Sequence, residues 1–160
     1  MTIKVGDSIP SAKLMQGTAE GPKEISTEEL FGGKTVVLFG VPGAFTPTCS
    51  AKHLPGYVQH YDALKAKGVD TVACMAVNDA FVMGAWGKDQ GVGEDILMLA
   101  DGSAALTKAL GLVLDGTGIG LGLRGQRFSM VVNDGVVEQL NVEAPGEFKV
   151  SSAEHMLEQL

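Results

Sequence analysis

Short runs of consecutive apolar residues alternate in this chain with stretches whose apolar residues recur at helical spacing. That alternation restricts the fold more than any other feature. The runs at 35–40, 71–77 and 96–100 have strand length and no polar face, as strands buried on both sides require. Between them, Leu54, Tyr57, Val58, Tyr61 and Leu64 fall on one helical stripe that Lys67-Gly68 ends. Pro55 lies inside that stripe and predicts a kink, because proline has no N–H to give to the preceding turn. Phe81, Val82, Ala85 and Trp86 predict a short helix, and residues 104–110 another, stopped by Gly111. Asn133-Asp134-Gly135, between apolar stretches at 128–132 and 136–142, is a hairpin signal. Ser26-Thr27-Glu28-Glu29 and Ser151-Ser152-Ala153-Glu154 have capping-box spacing and predict helices at 26–31 and toward the C-terminus. Residues 1–25, broken by Gly6, Pro10, Gly17, Gly21 and Pro22, read as irregular or as short strands.

The order strand, helix, strand, helix, strand, helix, hairpin, helix implies right-handed βαβ units and a central sheet made mixed by the closing hairpin. The class is α/β, with helices flanking the sheet; a thioredoxin-like sandwich is one fold of this description. No linker, repeat or low-complexity tract interrupts the 160 residues, so residues 1–160 read as one domain. A net charge of −7 argues against nucleic acid and anionic membrane surfaces as partners, since both need a basic face. No apolar stretch has the length of a membrane helix. The first residues, Met1-Thr2-Ile3-Lys4-Val5, carry no signal-peptide core. Two cysteines, Cys49 and Cys74, are too few for a disulfide-stapled scaffold. The expectation is a soluble, cytoplasmic protein in a reducing compartment.

Three motif-like strings fail on context. Gly32-Gly33-Lys34-Thr35 lacks the first glycine of a phosphate-binding loop, having Glu28 there, and runs into a strand instead of a helix. The glycine-rich string 116–122 leads toward the strand at Phe128 instead of opening a helix after one, and reads as a flexible loop. His53, His60 and His155 have no metal-ligand spacing and read as solvated helix positions, so no metal is expected.

Pro42-Gly43-Ala44-Phe45-Thr46-Pro47-Thr48-Cys49 is different, because it joins a buried strand to an amphipathic helix. Cys49 falls at or near the helix N-terminus, where orphan N–H groups and the dipole favour a thiolate. Thr46 stands where a dithiol oxidoreductase has its other cysteine, so this is no disulfide exchanger. Its hydroxyl can donate to the thiolate or contact a small oxygen-rich substrate. A buried, inert cysteine beside a capping threonine fits the spacing equally well. Lys52, or one of the only two arginines, Arg124 and Arg127, could supply a fixed positive charge; a solvated strand-end charge is the other reading of the arginines.

The segment resembles the Pro-x-x-x-Thr-x-x-Cys signature of the peroxiredoxins, matched by Pro42, Thr46 and Cys49. The longer strings 41–50 and 53–57, 77–83 with Trp86, and 124–129 resemble the peroxiredoxin-5 (type II) group. The resemblance implies a thioredoxin-like fold and a thiol-dependent peroxidase for hydrogen peroxide and small alkyl hydroperoxides, with no metal or organic cofactor. It implies that Cys49 attacks the peroxide, Thr46 orients it, Arg127 holds the sulfur ionised, Pro42 shields the pocket and Arg124 supports it. It also implies a homodimer formed through a surface beside the site.

The C-terminus carries no cysteine of the kind some relatives use to resolve the sulfenic acid, and Cys74 lies in a run expected to be buried. Cys74 is therefore expected to be structural, and an outside thiol, glutathione with glutaredoxin or else thioredoxin, to be the reductant. The alternative is a peroxide-sensing relay or interaction protein on the same fold, with Cys49 oxidised once and the signal passed to a partner.

Overall fold

The computed structural model describes residues 2–160. Two strands, β1 (Lys13–Thr18) and β2 (Gly21–Ser26), open the fold as an antiparallel hairpin. Ser26 then caps α1 (Thr27–Phe31): its hydroxyl accepts from the Glu29 N–H, and the Glu29 carboxylate reaches back to the Ser26 N–H, the reciprocal pair expected from the sequence. The three apolar runs form β3 (Thr35–Gly40), β4 (Thr71–Ala76) and β5 (Ile96–Ala100), parallel to one another in the centre of the sheet. A short two-stranded ribbon, β6 (Val113–Gly116) with β7 (Gly122–Gly125), precedes β8 (Phe128–Asn133) and β9 (Val136–Val142). The sheet order is β2-β1-β5-β4-β3-β8-β9, with β1 and β8 antiparallel to their central neighbours. This is the mixed sheet of a thioredoxin-like fold.

Strand alternation splits the core into two layers. Val37, Phe39, Val72, Cys74 and Met98 point to one face. There they meet α2 (Leu54–Gln59), α3 (Tyr61–Ala66), α4 (Ala80–Asp89) and α6 (Ala153–Gln159) through Tyr57, Leu64, Trp86 and Met156. Val36, Leu38, Met75, Leu99 and Met130 point to the other, against α1 and α5 (Ala105–Leu110). At the hairpin between β8 and β9, Asp134 and Gly135 take φ of 48° and 80°, which suits a two-residue turn with the twist of its strands.

Two local expectations are corrected, and a third takes a specific form. The glycine-rich string does not run free between elements: it is the short connection of a hairpin, its end residues Gly116 and Gly122 paired in the β6–β7 ribbon around a single 3₁₀ turn. The cap of α6 is Ser152, whose hydroxyl accepts from the His155 N–H, while Ser151 and Glu154 bond elsewhere, so the second capping box is not made. The kink around Pro55 takes the form of a π turn over Cys49–His53, with the Leu54 N–H closing onto the Cys49 carbonyl. The extra residue in that turn relieves the ladder just where Pro55 has no N–H.

Candidate active site

The site lies at the C-terminal end of β3, where the chain leaves the sheet. Phe45 adopts a left-handed backbone (φ 61°), a costly conformation for a bulky residue, and so turns the chain back toward the sheet. The loop is fixed from both sides. Asn78 accepts from the Ala44 N–H at 2.9 Å, and Arg124 donates to the Leu121 and Pro42 carbonyls at 3.0 and 3.4 Å. The Ser50 N–H bonds the Thr46 carbonyl at 2.9 Å, which makes Pro47 the first helical residue, a position that needs no N–H. Cys49 therefore sits in the first turn, and its side chain is fully buried.

Arg127 comes from the far end of the sequence, yet topology delivers it. Because β8 runs antiparallel to β3, Phe128 pairs with Gly40, and the residue before Phe128 stands at the strand end that carries the cysteine loop. Its Nη2 donates to Cys49 Sγ at 3.1 Å. Its Nη1 donates to His53 Nδ1 at 2.8 Å. The other ring nitrogen, Nε2, then carries the proton and donates to the Ser151 carbonyl at 3.0 Å, which also accepts from Tyr57 Oη at 3.0 Å. Phe148 covers the pair: its ring lies 5.8 Å from the Arg127 guanidinium carbon and 5.1 Å from the His53 ring.

His53 is thus no solvated helix residue. Burial, then the adjacent guanidinium, push its imidazolium down to about 3, so the ring is a neutral acceptor at ordinary pH. The sequence held one usable signal: Cys49, His53 and Tyr57 are spaced by four and share a helix face. Nothing in the sequence marked Phe148 or Glu143, because both lie in an irregular stretch.

Thr46 Oγ1 donates to the Gly43 carbonyl at 2.7 Å. That commits its single proton, so toward any other partner the hydroxyl is an acceptor; the donation to sulfur allowed by the sequence is not the bond it makes. Lys52 is exposed, and the cation against the sulfur is Arg127. Cys74 is wholly buried on β4, in register between Phe39 and Met98. Burial, then the neighbouring Cys49, push its thiol well above the usual range, so it stays protonated. Both cysteines are free. A cavity of about 390 Å³ opens beside Arg127, walled by Pro42, Thr48, Val113, Leu114 and Pro145, with Asp115 and Glu147 on its rim. Among the described residues no cluster of three or more His, Cys, Asp or Glu is arranged to hold a metal.

Taken together, a buried sulfur, three residues after a threonine whose hydroxyl proton is already committed, faces a guanidinium. This arrangement can stabilise a thiolate and the charge that develops on a departing oxygen. The chain is also similar to known proteins. Residues 4–157 match the Redoxin family. The chain is 51% identical to peroxiredoxin-2E-2, chloroplastic, of Oryza sativa subsp. japonica, over 99% of this chain and 73% of that protein. It is 46% identical to peroxiredoxin-2B of Arabidopsis thaliana, over 99% and 98% of the two chains. Reduced Prx3 from Vibrio vulnificus, solved in complex with hydrogen peroxide, superposes with a TM-score of 0.94 at 57% identity over 99% of both chains.

Proposed function

The chain belongs to the redoxin family, and within it to the type II peroxiredoxins, thiol-dependent peroxidases; on that premise we propose the following roles for its residues. Cys49 is the nucleophile. Its thiolate attacks the terminal oxygen of a hydroperoxide, the O–O bond breaks, and its electron pair leaves on the other oxygen, which takes a proton as water or alcohol. Cys49 is left as the sulfenic acid. Arg127 holds the sulfur as thiolate and meets the charge that grows on the leaving oxygen. Thr46 accepts the peroxide O–H and so turns the terminal oxygen toward the sulfur. Pro42 screens the site from water, and Arg124 braces the Pro42 carbonyl. The observation that carries this reading is the 3.1 Å contact from Arg127 Nη2 to a fully buried Cys49 Sγ.

An external thiol completes the cycle. It attacks the sulfenic sulfur, releasing water and leaving a mixed disulfide, which a second thiol reduces. Glutathione with glutaredoxin is our first candidate and thioredoxin the second. The burial of Cys74 in a central strand, with its thiol held protonated, supports its role as packing instead of as resolving group. Two free thiols suit a reducing compartment, which we take to be the cytoplasm. Phe45, large and exposed on the loop that leads to Cys49, supports a homodimer formed beside the site.

The test is peroxide consumption with glutathione and glutaredoxin present, beside an intact mass after one equivalent of hydrogen peroxide without thiol. Many turnovers, a product heavier by one oxygen, and a folded but inactive Cys49→Ser are the expected results. One equivalent consumed would mean a sensor, and turnover surviving in Cys49→Ser would remove the sulfur from the mechanism. A product lighter by two hydrogens would mean that Cys49 and Cys74 pair.

A further inference from the structure

Glu143 is a carboxylate only 6% exposed, on no element used so far. Its Oε2 accepts four hydrogen bonds: from the Lys149, Val150 and Ser151 N–H groups at 2.8, 2.9 and 2.9 Å, and from Ser151 Oγ at 2.7 Å. Burial alone would raise its proton affinity, but those donors, Ser151 Oγ foremost, outweigh it and keep the group ionised. Its own N–H donates to the Arg127 carbonyl at 2.9 Å.

These bonds close a ring through the catalytic arginine. The Arg127 backbone is tied to Glu143, the Glu143 side chain to Ser151, the Ser151 carbonyl to His53 Nε2, and His53 Nδ1 to the Arg127 side chain. Each link has one consequence. Gathering three consecutive N–H groups onto one oxygen bends residues 149–151 and points the Ser151 carbonyl inward. That carbonyl fixes which His53 nitrogen holds the proton. The remaining lone pair fixes Nη1 of Arg127, which leaves Nη2 to the sulfur.

We propose that Glu143 is a positioning residue for peroxide reduction, acting through Ser151 and His53 to aim the Arg127 guanidinium at Cys49. The inference rests on the assignment of Arg127 and Cys49 above and adds the part of the molecule that holds them in register. The Glu143 carboxylate makes no bond to the sulfur; its bonded oxygen is taken up by residues 149–151. A glutamine there keeps the size but loses the charge that four donors converge on, so the 149–151 bend loosens and the histidine is no longer held.

A double-mutant cycle tests this. Second-order rates with hydrogen peroxide are read from the fluorescence of Trp86, the chain's single tryptophan, and Cys49 ionisation from thiolate absorbance against pH. The chains are the native form, Glu143→Gln, Arg127→Ala and the double variant. Glu143→Gln should lower the rate by about tenfold to a hundredfold and move thiolate formation to higher pH. In the Arg127→Ala background the same change should do almost nothing, because there is no guanidinium left to aim. Ser151→Ala, which removes one of the four bonds, should give a smaller loss of the same kind and serves if Glu143→Gln does not fold. Equal losses in both backgrounds would mean a purely structural role and overturn the proposal. So would a native rate and titration in the folded variant. If Arg127→Ala itself moves neither readout, the assignment of Arg127 falls, and this inference falls with it.

Discussion

Replacing His53 by glutamine exposes the proton linkage that the site builds into stability. In the folded chain the imidazole is wholly enclosed and bonded to a guanidinium on one side and a carbonyl on the other. Burial and then the Arg127 charge lower its pKa from 6.5 to about 3, against the opposing pull of the Ser151 carbonyl and of Glu143. Unfolded, the same ring protonates near 6.5. Between these values the unfolded chain binds more protons than the folded one. The contribution is therefore whole above about pH 6.5 and is lost as pH falls toward 3. The full gap corresponds to about 5 kcal/mol, lost at up to about 1.4 kcal/mol per pH unit, or about 2 to 3 kcal/mol between pH 6 and pH 4. Glutamine offers a donor and an acceptor but takes up no proton. Its stability deficit against the native chain should therefore shrink by that amount over the same interval. Urea unfolding at fixed protein concentration, followed by Trp86 fluorescence, measures both curves. The carboxylates titrate alike in the two proteins and cancel in the difference. Curves that stay parallel from pH 6 to pH 4 would show that His53 is not held neutral by the fold.

Three further substitutions separate the parts of the site. Cys74→Ala should cost about 1 to 2 kcal/mol, as a small void between β3 and β5, and leave turnover with glutathione and glutaredoxin unchanged; lost turnover in a folded protein would make Cys74 the resolving group. Gly43→Ala would put a methyl 2.7 Å from Arg124 Nη1 and 3.2 Å from Thr46 Cγ2. The peroxide rate should fall about tenfold with little change in melting temperature, and an unchanged rate would show that the loop tolerates their displacement. Leu114→Asp, on the apolar wall beside Arg127, should reduce kcat/KM for a bulky alkyl hydroperoxide about tenfold and leave hydrogen peroxide unaffected; equal losses for both would mean that the cavity does not receive the alkyl group.

The fold was legible where local chemistry decides it. The three central strands appear as unbroken apolar runs because both faces are covered, and the Asp134-Gly135 turn appears because few dipeptides tolerate two positive φ values. Cys49 at a helix start was legible for the same reason: Thr46, Pro47 and the strand before them are contiguous. The β6–β7 ribbon was not, since a strand with glycines at both ends, like Gly122–Gly125, has no alternation to read. Arg127 is separated from Cys49 by 78 residues, and only the antiparallel return of β8 onto β3 joins them; spacing alone left it open, and the family resemblance supplied it. Glu143 and Ser151 meet through a loop whose bend comes from their own bonds, so no periodicity announces them.

The choice of a neutral histidine as the arginine's partner has an electrostatic reason. A carboxylate in direct contact with Arg127 would offset the charge that the sulfur and the leaving oxygen depend on. A neutral imidazole orients the guanidinium equally well through its lone pair and leaves the positive charge whole. The anion in the network, Glu143, bonds the Arg127 backbone but makes no side-chain bond to its guanidinium, and its oxygen is covered by four donors. Its field at Arg127 is thereby reduced, while its hold on residues 149–151 is kept. The residues that act on the sulfur and the residues that keep the geometry rigid are thus separated by one neutral ring. The burial that makes this ring neutral also makes the folded chain lose stability as pH falls. Aim at the sulfur and sensitivity to acid are two results of the same enclosure of His53.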